Sequence, residues 1–347
     1  MKGQKLIWIA VFAVIESSQI VCEAGMRDTT ILAFWNLENF FDYRNDSTST
    51  ADAEFSSFGD RHWTKKKFYC KCNAIAKALL WIGGKYGRMP DAVGFAEVEN
   101  RFVLERLVYG TGLKKYGYKI VHYESPDPRG IDVALLYREA VFRCDTSLCL
   151  KVTNPDNNGP ELRTRDILAV KLTRIGKSAE VCEKELAKAA EGKTDGLTVF
   201  VNHHPSKYGG EQSAWRRVAA MHRLEGAADS LSHYWVLPQV AMGDFNDTPD
   251  NPLYRENLGL IFANESLPLF EKKAGTIRYR GKWELIDMFF VTPYLAETSE
   301  MEIVSIPFLT VRDNTYAGEK PMRTYSGPRY VGGVSDHCPI VLKIVYL

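Results

Sequence analysis

Beyond its first residues, the 347-residue chain has no apolar run long enough to cross a bilayer. The body is therefore expected to be soluble, with no transmembrane anchor. Charge of one sign is also missing: 44 Lys and Arg face 43 Asp and Glu, for a net charge of +1. Grip on a phosphate backbone grows with the cations that displace counterions. The balance thus argues against an architectural DNA-binding protein, while leaving nucleic acid open as a substrate. There is no glycine-rich phosphate loop with a lysine, so ATP-driven chemistry is not indicated. No serine stands in a nucleophile-elbow sequence. Internal repeats and low-complexity tracts are absent, which removes solenoid and fibrous readings.

What is present begins with a leader-like start. Lys2 and Lys5 form a positive region, Leu6 to Ile15 an apolar run, and Ala24 and Gly25 a small-residue cleavage point. Residues 1–24 read as a signal peptide and 25–347 as the mature domain, exported to a periplasmic or extracellular space. Removing the leader takes away Lys2, Lys5, Glu16 and Glu23, so the net charge stays at +1. Of the six cysteines left, Cys72 and Cys338 sit among apolar residues and read as small buried hydrophobes. Cys144 and Cys149 bracket a short polar segment that a disulfide could close in an oxidising compartment. Cys70 and Cys72 lack the second ligand pair of a zinc site.

Short apolar runs alternate with amphipathic stretches. Thr30 to Trp35, Ala92 to Phe95, Val133 to Tyr137, Ile167 to Leu172, Leu197 to Val201, Val236 to Met242, Ile286 to Val291 and Ile340 to Val345 read as strands. Phe68, Cys72, Ile75, Leu79 and Ile82 recur at three- and four-residue steps and predict a helix. A second helix is expected from about Glu211 to Leu231, with Trp215, Val218, Ala219 and His222 along its stripe. The pattern points to a sandwich of two sheets covered by helices. Asn45 to Gly59 reads as a surface loop, and Gly176 to Gly196 as an exposed helical excursion.

Polar residues stand where the apolar runs stop. Asn36, Glu97, His203, Asp244, Asp287 and the pair Asp336–His337 each border a predicted strand. Any one of them is explained by a cap or a turn. Together they differ, because strand ends of one sheet edge converge, and carboxylates gathered there repel unless a cation neutralises them. Oxygen donors suit a hard ion such as Mg²⁺ or Mn²⁺, which polarises a phosphoryl oxygen. Hydrolysis further needs a base for water and donors for transition-state charge, and two histidines beside acidic groups can supply both.

The strings WNLENFFD from Trp35, PDAVGFAEVEN from Pro90, RGIDVALLY from Arg129, VNHHPSKYGG from Val201, MGDFNDTP from Met242, WELIDMFFV from Trp283 and SDHCPIVL from Ser335 resemble the endonuclease/exonuclease/phosphatase family. The similarity runs from about Thr30 to the C-terminus, with the motifs in the family's order. It implies an α+β fold, a four-layer α/β/β/α sandwich of two mixed sheets flanked by helices. It also implies roles. Asn36, Glu97 and Asp336 match the metal-holding set, with Glu97 the direct ligand. Glu99 reads as a helix-start residue, with a second ligand role as the alternative. Asp244 and Asn246 match the pair that orients the attacking water and the phosphate. His337 matches the base or phosphate-contacting histidine, and Asp287 the carboxylate bonded to it. VNHHPS offers His203 and His204; spacing to Pro205 and strand alternation favour His203 as general acid, with Asp132 as its orienting partner. Arg165 resembles the arginine that contacts substrate phosphate.

The expected activity is metal-dependent hydrolysis of a phosphate ester, by a phosphodiesterase or endonuclease acting through in-line attack of water. The substrate would be a nucleic acid, a lipid head group or a sugar phosphate, and the protein a monomer. The alternative is a catalytically idle surface-binding protein on the same fold.

Overall fold

The structure, a computed structural model, describes residues 29–45, 49–156, 159, 161–175, 195–207, 210–256 and 258–346. The expected leader and nearly all of the excursion at 176–196 lie outside the described residues.

Two six-stranded mixed sheets carry the fold. The first has the order β13-β18-β1-β2-β4-β3, built from β1 (Thr29–Phe40), β2 (Ala92–Val98), β3 (Tyr118–His122), β4 (Asp132–Arg138), β13 (Ser299–Ile303) and β18 (Ile340–Val345). The second has the order β5-β6-β7-β8-β12-β9, from β5 (Phe142–Leu150), β6 (Ile167–Arg174), β7 (Gly196–His203), β8 (Gln239–Asp244), β9 (Ala263–Asn264) and β12 (Asp287–Val291). Three small hairpins complete the strands: β10 (Ile277–Tyr279) with β11 (Lys282–Glu284), β14 (Thr310–Arg312) with β15 (Glu319–Pro321), and β16 (Tyr325–Ser326) with β17 (Arg329–Tyr330).

Each large sheet has one parallel pair at its centre, β1 with β2 and β7 with β8. A parallel pair needs a long crossover. The helix Lys65–Lys85 lies on the first and the helix Ala214–Trp235 on the second. Thr64 starts the former by accepting the Lys67 N–H, and Phe68, Cys72, Ile75, Leu79 and Ile82 are buried along one side, as their spacing predicts. They pack on Ile31, Ala33, Trp35 and Val93 of the first sheet's outer face. The second helix buries Ala219, Ala220, Met221, Leu224, Ala227, Ala228 and Leu231 against Phe200, Ala241 and Phe290. Its stripe is therefore rotated from the expected one: Ala219 is on it, but His222 faces solvent. Between the sheets, alternate residues such as Leu32, Phe34, Val199, Val201, Val240 and Met242 interdigitate. The molecule is thus the four-layer α/β/β/α sandwich.

All eight expected strands overlap observed ones. β8 starts only at Gln239, because Val236 ends the preceding helix in the left-handed region, φ 49°. The helix Arg101–Tyr109, capped by Asn100, was too short to show in the periodicity. The expected loop at Asn45 to Gly59 contains a short helix, Thr50–Glu54, while residues 46–48 lie outside the described residues. Cys72 and Cys338 are buried as expected. The disulfide is corrected: Cys144 and Cys149 lie on the same strand, β5. Five residues of strand span roughly 16 Å at about 3.3 Å per residue, beyond the roughly 7 Å that a disulfide bridges. Among the described residues no helix is long and apolar enough to cross a membrane.

One glycine sets the spacing of β7 and β8. Gly243 pairs with Asn202, and a Cβ at 243 would lie 2.4 Å from the Asn202 carbonyl oxygen and 2.6 Å from its Cβ. Backbone cannot yield as a flexible side chain does, so Gly243→Ala must spread the two strands. We expect it to lower the free energy of unfolding by about 1–3 kcal/mol, read as a lower urea midpoint with an unchanged slope. A midpoint equal to the unaltered chain's would refute this account of the close approach.

Candidate active site

Strand alternation carries polar residues to the same ends of both sheets. In the first sheet, Leu32 and Phe34 face the inter-sheet core, and Asn36 continues that side. In the second, Val201, Met242 and Phe289 face it, and His203, Asp244 and Asp287 share their sides. The ladder aligns those three: His203 is paired with Asp244, and Asp244 with Asp287. The sheets meet where Asn36 Nδ2 donates to Asp244 Oδ2 at 3.0 Å.

Two bulges aim the first sheet's contribution. The β1–β2 register shifts between Asn36 and Phe40, and the β2–β4 register between Ala96 and Val98. Glu38, Asn39 and Glu97 accordingly adopt left-handed backbone, with φ of 46°, 56° and 60°. Glu97 is held there by the Asn39 N–H, which donates to its Oε2 at 2.8 Å. Its Oε1 lies 3.8 Å from Arg129 Nη1 and 4.0 Å from His203 Nε2, beyond hydrogen-bond range of both.

The two site histidines differ in charge because their surroundings differ. His337 Nδ1 is 2.8 Å from Asp287 Oδ2, while its Nε2 lies 3.8 Å from Asp244 and 3.9 Å from Asp336. Burial works against its protonation, but Asp287, Asp244 and Asp336 outweigh it and hold the ring well above the usual histidine range. His203, 3.7 Å from Asp244, has no carboxylate in hydrogen-bond contact. Burial, with the Arg165 and Arg129 charges, keeps it well below that range, hence neutral. Burial also raises Asp244 to about 7, with Asp287 adding to the rise and His337 and Asn36 opposing it. Its Oδ1 accepts the Asn246 N–H at 2.9 Å, from a residue with φ 51°.

His204 turns to the other side of β7. It is buried edge-on against Phe245, 4.8 Å between ring centres, and burial next to Arg165 pushes it down to about 3. Its carbonyl accepts from Arg165 Nη2 at 2.6 Å and from Asn246 Nδ2 at 2.9 Å. His203 is therefore the histidine that faces the acidic cluster.

Two expected partnerships are replaced. Asp132 does not orient His203. Its Oδ2 lies 3.2 Å from His122 Nε2, and its Oδ1 accepts the Ser125 N–H at 2.8 Å. Arg165 does not open to the site: its side chain is 6% exposed, Nη1 donates to Asp127 Oδ2 at 2.9 Å, and Nη2 is taken by His204. A buried guanidinium so engaged clamps loops rather than presenting donors to a ligand. The accessible arginines are Arg129 beside Glu97 and Arg323, which bridges Glu38 Oε1 at 2.6 Å and Asp336 Oδ2 at 3.2 Å.

Arg323, Glu38 and Lys71 escaped the sequence reading, since each lies inside an ordinary-looking segment. Lys71 is fully buried under the acidic cluster, donating to the Glu38 carbonyl at 2.6 Å and to Thr324 Oγ1 at 2.8 Å. Burial lowers it to about 8, against the pull of Glu38, Glu97 and Asp336. Glu38 is raised to about 7 by burial and by Asp336. Glu99 lies before the helix cap rather than in the cluster. It accepts the Asp42 N–H at 2.6 Å, and burial raises it to about 9, which keeps it neutral. Asp244, Asp287 and His337 form a close group that could hold a metal ion, and Glu97 and Asp336 add oxygen donors beside it.

Residues 31–346 match the sequence profile of the Endonuclease/Exonuclease/phosphatase family. No curated protein sequence matches the chain. Among solved structures, the chain is similar to an endonuclease/exonuclease/phosphatase family protein from Bacteroides thetaiotaomicron, at 14% identity and a TM-score of 0.55 over 92% of this chain and 98% of that one. It is also similar to a mannosyl-6-phosphatase from the same organism, at 15% identity and a TM-score of 0.53 over 91% and 100%. The catalytic domain of human Nocturnin, with a bound sulfate anion, matches at 15% identity and a TM-score of 0.54 over 92% and 94%. At such identities the structures speak for the fold, and the profile match over nearly the whole described chain for the family. The chain belongs to the endonuclease/exonuclease/phosphatase family of phosphate-ester hydrolases.

Proposed function

We propose that this chain is a divalent-cation-dependent phosphodiesterase or endonuclease acting by in-line attack of water. The observation that carries this reading is the meeting of Glu97, His203, Asp244, Asp287, Asp336 and His337 at one end of the two sheets. His203 and His337 approach the same Asp244 oxygen, at 3.7 Å and 3.8 Å.

The residues present fit a hard divalent ion. Glu97 Oε1 makes no hydrogen bond to Arg129 or to His203, and Asp336 is about one-third exposed, so oxygen donors remain open to a ligand. Glu97 and Asp336 would hold the ion. Asn36 would support it from beside them, its own Oδ1 being already bonded to the Glu38 N–H. A bound cation would polarise the phosphoryl oxygens and offset their charge.

The chain's own groups would do the rest. Asp244, poised near neutrality, and Asn246 Oδ1 would orient the attacking water, with Asp244 accepting its proton. His337, kept charged by Asp287, would donate to a phosphoryl oxygen as negative charge develops. His203 is neutral in the free protein; an anionic phosphate beside it would raise its basicity, letting it carry a proton to the leaving group. Arg129 and Arg323 would contact the phosphate, the part that the family resemblance assigned to Arg165. Export with loss of residues 1–24, and action as a monomer on a nucleic acid, lipid head group or sugar phosphate, belong to the same reading. N-terminal sequencing of secreted protein tests the first.

Purified protein should hydrolyse at least one of plasmid DNA, RNA, sphingomyelin or an inositol phosphate with Mg²⁺ or Mn²⁺, and none with chelator. Glu97→Gln, Asp244→Asn and His337→Ala should each reduce kcat/KM by about 10²–10⁴-fold with unchanged circular dichroism. Wild-type rates in these variants would sink the assignment and favour an idle binding protein.

Arg129→Ala should cost roughly tenfold to a hundredfold in kcat/KM, as for loss of a charge-assisted hydrogen bond, whereas Arg165→Lys should chiefly lower thermal stability. The reverse pattern would return the phosphate contact to Arg165.

Because Asp244 is raised to about 7 and must be ionised to accept a proton, kcat/KM should fall as pH drops below about 7. A nearby cation favours the ionised form, so the acidic limb should move to lower pH as the metal concentration rises. A limb that ignores metal concentration would remove Asp244 as the base.

A further inference from the structure

A second cluster of ligand-type side chains lies apart from the acidic centre, where β3 runs out and β4 begins. The last ladder pair there is His122 with Ala134, so Glu124 and Asp132 face each other just beyond the final rung. His122 Nε2 lies 3.2 Å from Asp132 Oδ2, and one ligand atom each of His122, Glu124 and Asp132 fall within 4.8 Å of one another. The imidazole and the Asp132 carboxylate are 3% and 2% exposed, with Glu124 at the exposed edge beside them. The cluster thus sets two carboxylates beside one imidazole, and like charges so close repel unless a proton or a cation lies between them.

We propose that His122, Glu124 and Asp132 bind a divalent transition metal of the borderline class, with Zn²⁺ as the type, at a site separate from the Glu97 centre. The donors decide the class. One imidazole nitrogen with two carboxylate oxygens suits Zn²⁺ or Co²⁺, whereas Mg²⁺ takes oxygen alone and keeps much of its water. The three ligand atoms lie within 4.8 Å of one another, so small side-chain rotations would bring them to the roughly 3.3 Å that separates neighbouring ligand atoms of a tetrahedron with bonds of about 2.0–2.1 Å. Asp132 is already oriented by the Ser125 N–H on its other oxygen, as a ligand's outer partner would do. Glu124 lies on the exposed side and leaves a fourth position to water.

The site would act as a clip. Glu124 and Asp132 bound a loop whose other side chains reach the acidic centre: Asp127 holds Arg165, and Arg129 stands 3.8 Å from Glu97. Joining its two ends through a metal restrains that loop and so steadies Arg129. The inference stands on this cluster's geometry and does not require the proposed reaction.

The test uses the full chain carrying Glu97→Gln, an isosteric change that keeps an acceptor for the Asn39 N–H while weakening the main centre. After chelation, Co²⁺ is titrated by its visible absorption and Zn²⁺ by calorimetry at pH 7.5. One ion per chain is expected, with a rise in thermal midpoint that saturates at the same stoichiometry. Adding His122→Ala, or Glu124→Gln at its exposed position, should weaken binding at least about tenfold and abolish the thermal shift. If the Glu97→Gln chain takes up no ion, or binds one equally well with either added substitution, the site does not exist as described. Hydrolytic activity enters neither readout, so failure here and failure of the phosphoesterase reading are told apart.

Discussion

The hydrogen bond from Asn36 to Asp244, 3.0 Å long, joins two sheets at residues 208 positions apart in the chain. Most of the site follows from that junction. It brings the carboxyl ends of two parallel strand pairs together, and with them more negative charge than a buried volume tolerates unaided. The protein answers with internal countercharges. Lys71 lies beneath the cluster, Arg323 spans Glu38 and Asp336, Arg129 approaches Glu97, and the carboxylates around His337 favour its charged form. These groups lessen the repulsion without closing the site, because Arg129 and Arg323 reach it from exposed positions. A cation and an anionic ester would complete the balance.

Environment gives the same residue type different tasks. His337 and His203 flank one Asp244 oxygen at nearly equal distances, yet one ring is charged and the other neutral. The difference is a partner. Asp287 bonds to His337, whereas His203 has no carboxylate within hydrogen-bond range and lies near two arginines. Environments that push the pKa values of neighbouring groups apart are what acid–base division of labour requires.

The arrangement also costs backbone strain. Glu38, Asn39, Glu97 and Asn246 all adopt left-handed conformations, each worth of order 1–3 kcal/mol for a residue other than glycine. The layered core offsets it. Burying a Phe, Leu or Val side chain contributes about 1.5–3 kcal/mol, and the inter-sheet layer alone holds Leu32, Phe34, Val199, Val201, Met242 and Phe289. The two bulges that carry part of this strain also turn Glu97 into the site.

Much of this protein was legible in its residue order. Short apolar runs located eight strands, three- and four-residue steps located the helix over Phe68 to Ile82, and the polar residues bordering those runs, Asn36, Glu97, His203, Asp244, Asp287, Asp336 and His337, are ones that the fold gathers at one end of the two sheets. These are local signals, because side-chain direction in a strand or helix depends on position in that element alone. Alternation even separated His203 from His204. Partnerships were a different matter. That Asp132 meets His122 rather than His203, that Arg165 is spent on Asp127 and a carbonyl, and that Lys71 and Arg323 support the acidic cluster all depend on bulges, ladder register and loop paths. Those are set by which strands pair across hundreds of residues, so tertiary structure alone decided them.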